Sequence, residues 1–503
     1  MCKAYDCVEW AYLGSMMRKM GFEEKWVSLI MMCVTTASFS VLINGEPRGT
    51  ITPSRGLRQG NPISPYLFLL CAEGLTALIR KKEAEGMTRG VPVSRLAPSI
   101  SYLFFAEDCI IFCRATMEEC RQVTSVLEVY EKESGQKLNR EKTSLFFSKN
   151  INEDIQNFVK NTFEAQIVKQ HEKYLGLPPM VGRGKKKAFS CIKDQVGRKI
   201  AGWKGRLLSN ASREILIKAV AQATPTYTMN CFKLPDSLCS EINSMVGGFW
   251  WGQKDKERKI AWVLWQNLCK PKAEGALGFR ELRAFNLALL AKQGWRIQQS
   301  PNSLTHRVLK TKYFADSSFM DAKVGKNPSY IWRSKVAAIP VIKEGAKWVV
   351  GDGRSIKIWG EKWIPSTESG RIITLSTSME SGAKVVSLIV QERVEWDAAL
   401  IRCTFLPHEA EAILSIPISP MKPLDSQVWA KSNGIFTVKS AHRVAAKYLA
   451  DLKGRVESPG CSENSKMTVF WKVLWNLKCP NKIKHFMWRA CRNVLPTKQC
   501  LLH

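Results

Sequence analysis

Residues 104–112 read FFAEDCIIF, with two adjacent carboxylates, Glu107 and Asp108, between two runs of apolar, strand-forming residues. An ionised carboxylate in an apolar setting is costly unless it is paired, hydrogen-bonded or bound to a metal. The stretch therefore restricts the chain to folds that compensate this charge. The spacing predicts two strands, SYLFFA and CIIFCRA, around a tight turn with both acids at its tip. Adjacent acids on a turn suit a divalent cation, because Mg²⁺ takes oxygen ligands and needs only one or two carboxylates besides water and phosphates. The alternative is a solvated turn whose acids never meet metal.

With 503 residues, 45% of them hydrophobic, the chain can fill several cores, on the order of three or four domains at about 150 residues each. Seventy-five Lys and Arg against 44 Asp and Glu leave a formal charge of +31, which calls for an acidic partner, either nucleic acid or an anionic membrane surface. Residues 26–45 carry no charge, but Thr35, Thr36, Ser38, Ser40 and Asn44 break the apolar run short of a span. The start, MCKAYDCVEW, has no signal-peptide plan, so no membrane partner is expected. Sixteen scattered cysteines with no CxxC point to a reducing, intracellular compartment.

Up to about residue 180 helices and strands alternate, which predicts an α+β domain. Helices are expected at Glu9 to Met20, Lys25 to Val34, from Pro65 through YLFLLCAEGLTALI, and at Met117 to Ser134; strands at Ser38 to Asn44 and Thr143 to Ser148. Residues 181–300 read as helical and basic, and 181–206 hold nine Lys or Arg against Asp194 alone. Residues 301–457 carry Trp-bearing runs such as WVVGDGRSIKIWGEKWIP that suggest small β-hairpins around Gly-Asp-Gly. Residues 458–503 form a basic terminal segment.

The loop GLRQGNPISPYLF, residues 56–68, combines Gly56 and Gly60, which free the backbone for close approach to a ligand, with the donors Arg58 and Gln59 and a proline-fixed helix entry. A base pair or a triphosphate fits such a loop; so does a plain Gly/Pro turn before a core helix. The basic cluster holds Lys185, Lys186, Lys187, Lys204 and Arg206, and reads as either a phosphate-binding face or a solvated one. Fifteen of the 17 tryptophans lie beyond residue 200, and helix-like intervals among Trp262, Trp265, Trp471, Trp475 and Trp488 favour core packing over base stacking. Cys479, His485, Cys491, Cys500 and His503 match no four-ligand zinc spacing, so no zinc is expected.

KAYD (3–6), GLRQGNPISPYLF and FFAED, in this order, resemble the reverse transcriptases of non-LTR, LINE-type retrotransposons in their plant form. SGQKLNREKTSLFFSKN, YLGLP, FWWG and GALGFREL extend the resemblance, and the final segment is similar to the opening of a zinc-binding domain. The resemblance implies an α+β fold: a polymerase right-hand palm over 1–180 with the fingers largely missing, a helical thumb over 181–300, a mixed small-β connection over 301–457 and a short helical, incomplete zinc domain over 458–503. It implies RNA-templated DNA synthesis on an RNA template and RNA–DNA hybrid, with Mg²⁺ or Mn²⁺ on Glu107 and Asp108, in the nucleus. Tyr5 then excludes a 2′-hydroxyl beneath the nucleotide sugar, and Arg58, Gln59 and Gly60 position template and nucleotide. Lys142 stands near the leaving pyrophosphate, and Tyr174, Leu175 and Gly176 grip the primer.

Departures from that pattern imply impaired chemistry, or a protein that binds nucleic acid without catalysis. The family's metal-binding aspartate of D-x-x-K-A-[FY]-D would precede Met1, as would the fingers and an endonuclease. The chain ends before the zinc ligands expected of its last domain. Glu107 stands where the family has aspartate, Asn61 replaces the aspartate of R-Q-G-D-P, and Cys2 and Cys7 replace serine and arginine.

Overall fold

The computed structural model describes residues 4–168, 174–178, 181–182, 184–204, 208–253, 259–365, 369–375, 379–380, 382–431, 433–452, 454 and 463–495. The chain divides into two compact units, Met1–Pro179 with Arg307–Lys312, and Met180–His306 with Tyr313–His503.

The first unit is built on helices α1 (Trp10–Lys19), α2 (Glu24–Thr35), α3 (Ser64–Ala84) and α4 (Met117–Ser134), with two antiparallel hairpins. These are β1 (Phe39–Ile43) with β2 (Glu46–Ile51), and β3 (Tyr102–Phe105) with β4 (Asp108–Ile111). Local chemistry sets the helix ends. Pro65 opens α3, where a missing N–H costs nothing. Thr116 caps α4 by accepting from the Glu119 N–H, and left-handed Gly135 closes it. Two apolar clusters share Tyr12: Val8, Leu13, Leu57 and Phe68 on one side, Leu75, Val126, Leu127 and Tyr130 on the other. The strand expected at Thr143 to Ser148 is shorter, Ser144–Leu145 paired in parallel with Gln166–Ile167. Phe146, the next residue of the run, is exposed.

In the second unit no strand occurs among the described residues of 181–300; helices α5 (Ser190–Lys204), α6 (Asn210–Leu216), α7 (Thr226–Cys231), α8 (Asp236–Trp250) and α9 (Leu282–Gln299) fill it. Then come α10 (Tyr330–Val336), α11 (Ile339–Gly345), α12 (Val438–Asp451), α13 (Glu463–Asn476) and α14 (Asn481–Cys491). Residues 284–291 of helix α9 are buried on every side, which makes that stretch central; α9 packs against α7, α8, α10, α11 and α12. The tryptophans largely pack inside, as their spacing predicts: Trp471 and Trp488 are buried, and Trp265 stacks on Phe279 with ring centroids 4.9 Å apart.

The Gly-Asp-Gly stretch does not turn a local hairpin. Strand β5 (Ala346–Val349) pairs instead with β6 (Ser426–Trp429), some eighty residues on. The N–H groups of Gly351, Gly353 and Ser355 all donate to the Asp425 carboxylate at 2.7–2.9 Å, which ties the loop to the residue before β6.

Asn286 is the one polar side chain in the middle of the apolar α9 that bonds three backbone groups. Its Oδ1 accepts from the Leu234 N–H at 2.7 Å and its Nδ2 donates to the carbonyls of Met229 and Phe232, both at 2.9 Å. Asn286→Ala leaves these buried groups without partners, and the expected loss is about 3 kcal/mol, read as a lower urea midpoint. An unchanged midpoint would show that water replaces the amide.

Candidate active site

Three of the sequence motifs meet at the turn formed by residues 4–9. The loop after Pro53 is laced to it by backbone bonds: the Gly56 N–H donates to the Val8 carbonyl at 2.8 Å and the Leu57 N–H to the Tyr5 carbonyl at 2.7 Å. The Trp10 indole N–H donates to the Gly56 carbonyl at 2.8 Å. Gly56 has φ +92°, and a Cβ there would lie 2.7 Å from the Asp6 carbonyl oxygen. The glycine expected to admit a ligand therefore admits the chain's own backbone. Gly60, with φ +84° and nothing within 4 Å of an added Cβ, is the one left open. From the other side the SGQ segment closes in, with the Glu9 N–H donating to the Ser134 carbonyl at 3.0 Å and Gly135 set against the Cys7 carbonyl.

This packing fixes the nearby side chains. Tyr5 stacks on Phe68 of α3 at 4.9 Å, Gln59 Nε2 donates to Asp6 Oδ1 at 3.4 Å, and the Arg58 guanidinium lies 5.8 Å from the Phe39 ring centroid. Asn61 Oδ1 accepts from the Ile63 N–H at 3.1 Å, so the neutral amide keeps a turn that aspartate would also make, without its charge. A cavity of about 480 Å³ opens here, lined by Asp6, Arg55, Arg58, Gln59 and Asn61 among others.

The acidic hairpin stands on a helical platform. Phe105 pairs with Asp108, leaving Ala106 and Glu107 as the two turn residues, with Ala106 at φ +48°. Tyr102, Phe104 and Ile111 face the cluster formed by α3 and α4, and Arg80 of α3 donates to the Tyr102 hydroxyl at 3.0 Å. Asp108 shares the opposite face with its partner Phe105, since directly paired residues point the same way. Leu103, Phe105, Glu107 and Asp108 are all exposed. The strands are thus half-buried rather than enclosed, and solvent meets the acids at the tip of the hairpin that the sequence predicts.

Lys142 ends a 3₁₀ turn (Arg140–Lys142) and is exposed; Leu138, four residues earlier, packs on the cluster that supports the hairpin. Tyr174 to Leu177 form a two-residue turn with both bridging backbone bonds, at 2.8 and 2.9 Å, and with Leu175 and Gly176 left-handed at φ +49° and +74°. In the basic cluster Lys186 is spent on Glu241 at 2.5 Å, which Lys193 joins at 2.8 Å; these two hydrogen bonds lower the half-buried Glu241 carboxyl to about 2. Lys185 sits over the Tyr330 ring at 5.1 Å. Lys187 is exposed and makes no ion pair among the described residues. The Lys204 side chain and Arg206 lie outside the described residues.

Sequence reasoning missed the buried carboxylate of Glu214. It accepts from His485 Nε2 at 2.7 Å, and pairs with Lys218 at 2.5 Å and Lys272 at 2.9 Å. His485, weighed above as a zinc ligand, is instead held between the rings of Trp250 and Trp475, pointing at Glu214. Burial pushes the Glu214 carboxyl up, but His485 and the two ammonium groups outweigh it and hold it far below the carboxylate range. No one-dimensional signal links residues 271 positions apart.

The family model described as reverse transcriptase (RNA-dependent DNA polymerase) matches residues 1–178. An uncharacterized mitochondrial protein of Arabidopsis thaliana is 46% identical over 143 residues, 28% of this chain and 93% of its own. A putative ribonuclease H protein of the same plant is 28% identical over 64% of this chain and 51% of its own. A retrovirus-related Pol polyprotein from the type-1 retrotransposable element R2 of Popillia japonica is 28% identical over 22% of this chain and 17% of its own. The chain thus spans nearly all of the first relative, half of the second and under a fifth of the third.

Two outcomes follow from this geometry. Gly56→Ala forces a Cβ into the Asp6 backbone at a left-handed φ, and the expected cost is about 2 kcal/mol, seen as a lower denaturant midpoint; Gly60→Ala, with open space, should cost less, and equal losses would deny the close approach. Glu214 has a folded pKa below its unfolded value, so its stabilisation is complete above the unfolded value and is lost as pH falls below about 4.5. Glu214→Gln should lower the melting temperature at neutral pH and flatten its decline between about pH 5 and 3, whereas parallel curves would mean that the carboxylate is not ionised in the fold.

Proposed function

Because the chain belongs to the reverse transcriptases of non-LTR retrotransposons, we propose that its first unit is a polymerase palm and that the basic helices beyond residue 181 are a thumb. On this reading the protein engages an RNA template and an RNA–DNA hybrid and carries weakened nucleotidyl-transfer chemistry. The observation that carries it is the convergence of KAYD, GLRQGNP and SGQ on one turn, stacked on the same α3 and α4 that support the acidic hairpin. Tyr5, braced on Phe68, is the sugar-facing ring; Arg58, Gln59 and the open Gly60 line the nucleotide loop; Lys142 meets the pyrophosphate and Tyr174 to Gly176 the primer.

Glu107 and Asp108 fit a hard divalent cation, Mg²⁺ or Mn²⁺, because both offer carboxylate oxygens at a solvent-open turn. Bound there, the ion would supply charge neutralisation for a triphosphate. Among the described residues no three His, Cys, Asp or Glu side chains converge as a ready-made cage. Glu107 carries its carboxylate one methylene, about 1 Å, beyond where the family's aspartate holds it, and misplacement on that scale costs on the order of a hundredfold in rate. Binding without chemistry is the second reading, and the same glutamate favours it.

The test is extension of oligo(dT) on poly(rA) by the full chain with Mg²⁺ or Mn²⁺. Glu107→Asp is expected to raise incorporation by between about tenfold and a hundredfold. Robust synthesis by the unaltered chain refutes impairment, and equal incorporation by both proteins removes Glu107 from the metal site.

A further inference from the structure

The second unit contains a groove of about 2110 Å³ whose lining includes Trp251 of FWWG and Leu277 to Glu281 of GALGFREL. One wall is α12, which presents Lys439, Arg443 and Lys447 to it. These stand at i, i+4 and i+8, one face of the helix over about 12 Å, and all three are exposed with no ion pair among the described residues. The facing wall is the segment running from α8 into the start of α9. It contributes Lys270, and Arg280, whose half-buried guanidinium lies over the Phe285 ring at 4.6 Å without a carboxylate partner among the described residues.

Acids do not cancel this charge. Of the three that line the groove, Glu281 is spent capping the Ala284 N–H at 2.7 Å, Asp236 lies 4.0 Å from Arg283, and only Glu274 remains. Lys218 and Lys272 also line the groove, already committed to Glu214. Trp251 and Trp265 line the same space; Trp265 is stacked on Phe279, and the partly exposed Trp251 is the ring offered to a ligand.

We propose that this groove is a binding site for a single strand of nucleic acid, with phosphates along Lys439, Arg443 and Lys447 and bases toward Trp251. A row of cations opposite aromatic faces is the arrangement that tracks a backbone and stacks unpaired bases. A duplex keeps its base faces covered and would leave the Trp251 ring without a base to stack on. An acidic protein would satisfy the cations but not the aromatic wall. The inference rests on the reading of the chain as a nucleic-acid protein and not on its chemistry, and binding is measured without metal or triphosphate, so its outcome is independent of primer extension.

The experiment uses fluorescence anisotropy of the full chain with oligo(U) and oligo(dT) of about 12 nucleotides, over a salt series. The combined variant Lys439→Gln, Arg443→Gln, Lys447→Gln is expected to bind at least about tenfold more weakly at 0.1 M salt, and its log–log salt slope should shrink by about 2, three phosphate contacts at about 0.7 each. In the unaltered chain, 4-thiouracil or 4-thiothymine placed in the oligonucleotide should cross-link to peptides covering 236–253, 259–289 or 438–452, a readout that does not depend on how the variant folds. A preference for oligo(U) or oligo(dT) identifies the strand as RNA or DNA. Failure to bind either one, an unchanged slope, cross-links confined to other segments, or equally tight competition by polyglutamate each overturns the proposal.

Discussion

A missing Cβ at Gly56 lets two stretches of chain, fifty residues apart, share backbone hydrogen bonds at a distance no other residue would permit. Everything around the 4–9 turn follows from that approach. It sets Leu57 into the apolar cluster, gives the Trp10 indole its acceptor, and brings Gln59 against Asp6. Gly135 repeats the device from the C-terminal end of α4. The turn is therefore gripped from two sides by loops whose own geometry is fixed by helix ends, α3 opening at Pro65 and α4 closing at Gly135. Rigid backbone of this kind suits a site that has to hold side chains to within a fraction of an ångström.

The second unit shows that a count of basic residues is not a count of phosphate contacts. Lys186 and Lys193 belong to Glu241, and Lys218, Lys272 and His485 surround Glu214. A carboxylate taken out of water is tolerated there because its neighbours outweigh the desolvation. That cluster also anchors α14 to α6, so the basic terminal segment is held by the hydrogen bond from His485 to Glu214 as well as by Trp471 and Trp488. Three cations without an ion pair among the described residues, Lys439, Arg443 and Lys447, share one face of α12.

Much of the first unit was legible because its signals are local. Proline at the start of α3, threonine before α4 and glycine after it, and apolar, strand-forming runs on either side of an acidic pair each act within a few residues, and the observed elements begin and end close to where those signals stand. The partnership of β5 was not legible, since its strand pattern is real but its mate lies beyond residue 425, chosen by a carboxylate that three backbone N–H groups share. The α12 stripe was legible in principle, as a four-residue period of Lys and Arg inside VKSAHRVAAKYLAD, but nothing in that period says that a groove lies opposite.

By itself the sequence determined the family, through the order of KAYD, GLRQGNP and FFAED, and the kinds of element that carry these motifs, because turn chemistry and helix caps are short-range effects. Tertiary structure alone decided which charges are spent internally and which face solvent, that Gly56 serves the chain's own backbone while Gly60 stays open, and that His485 answers Glu214. Those outcomes depend on which distant groups come within a few ångströms of one another, and burial, which sets the strength of every such pairing, is a property of the packed chain.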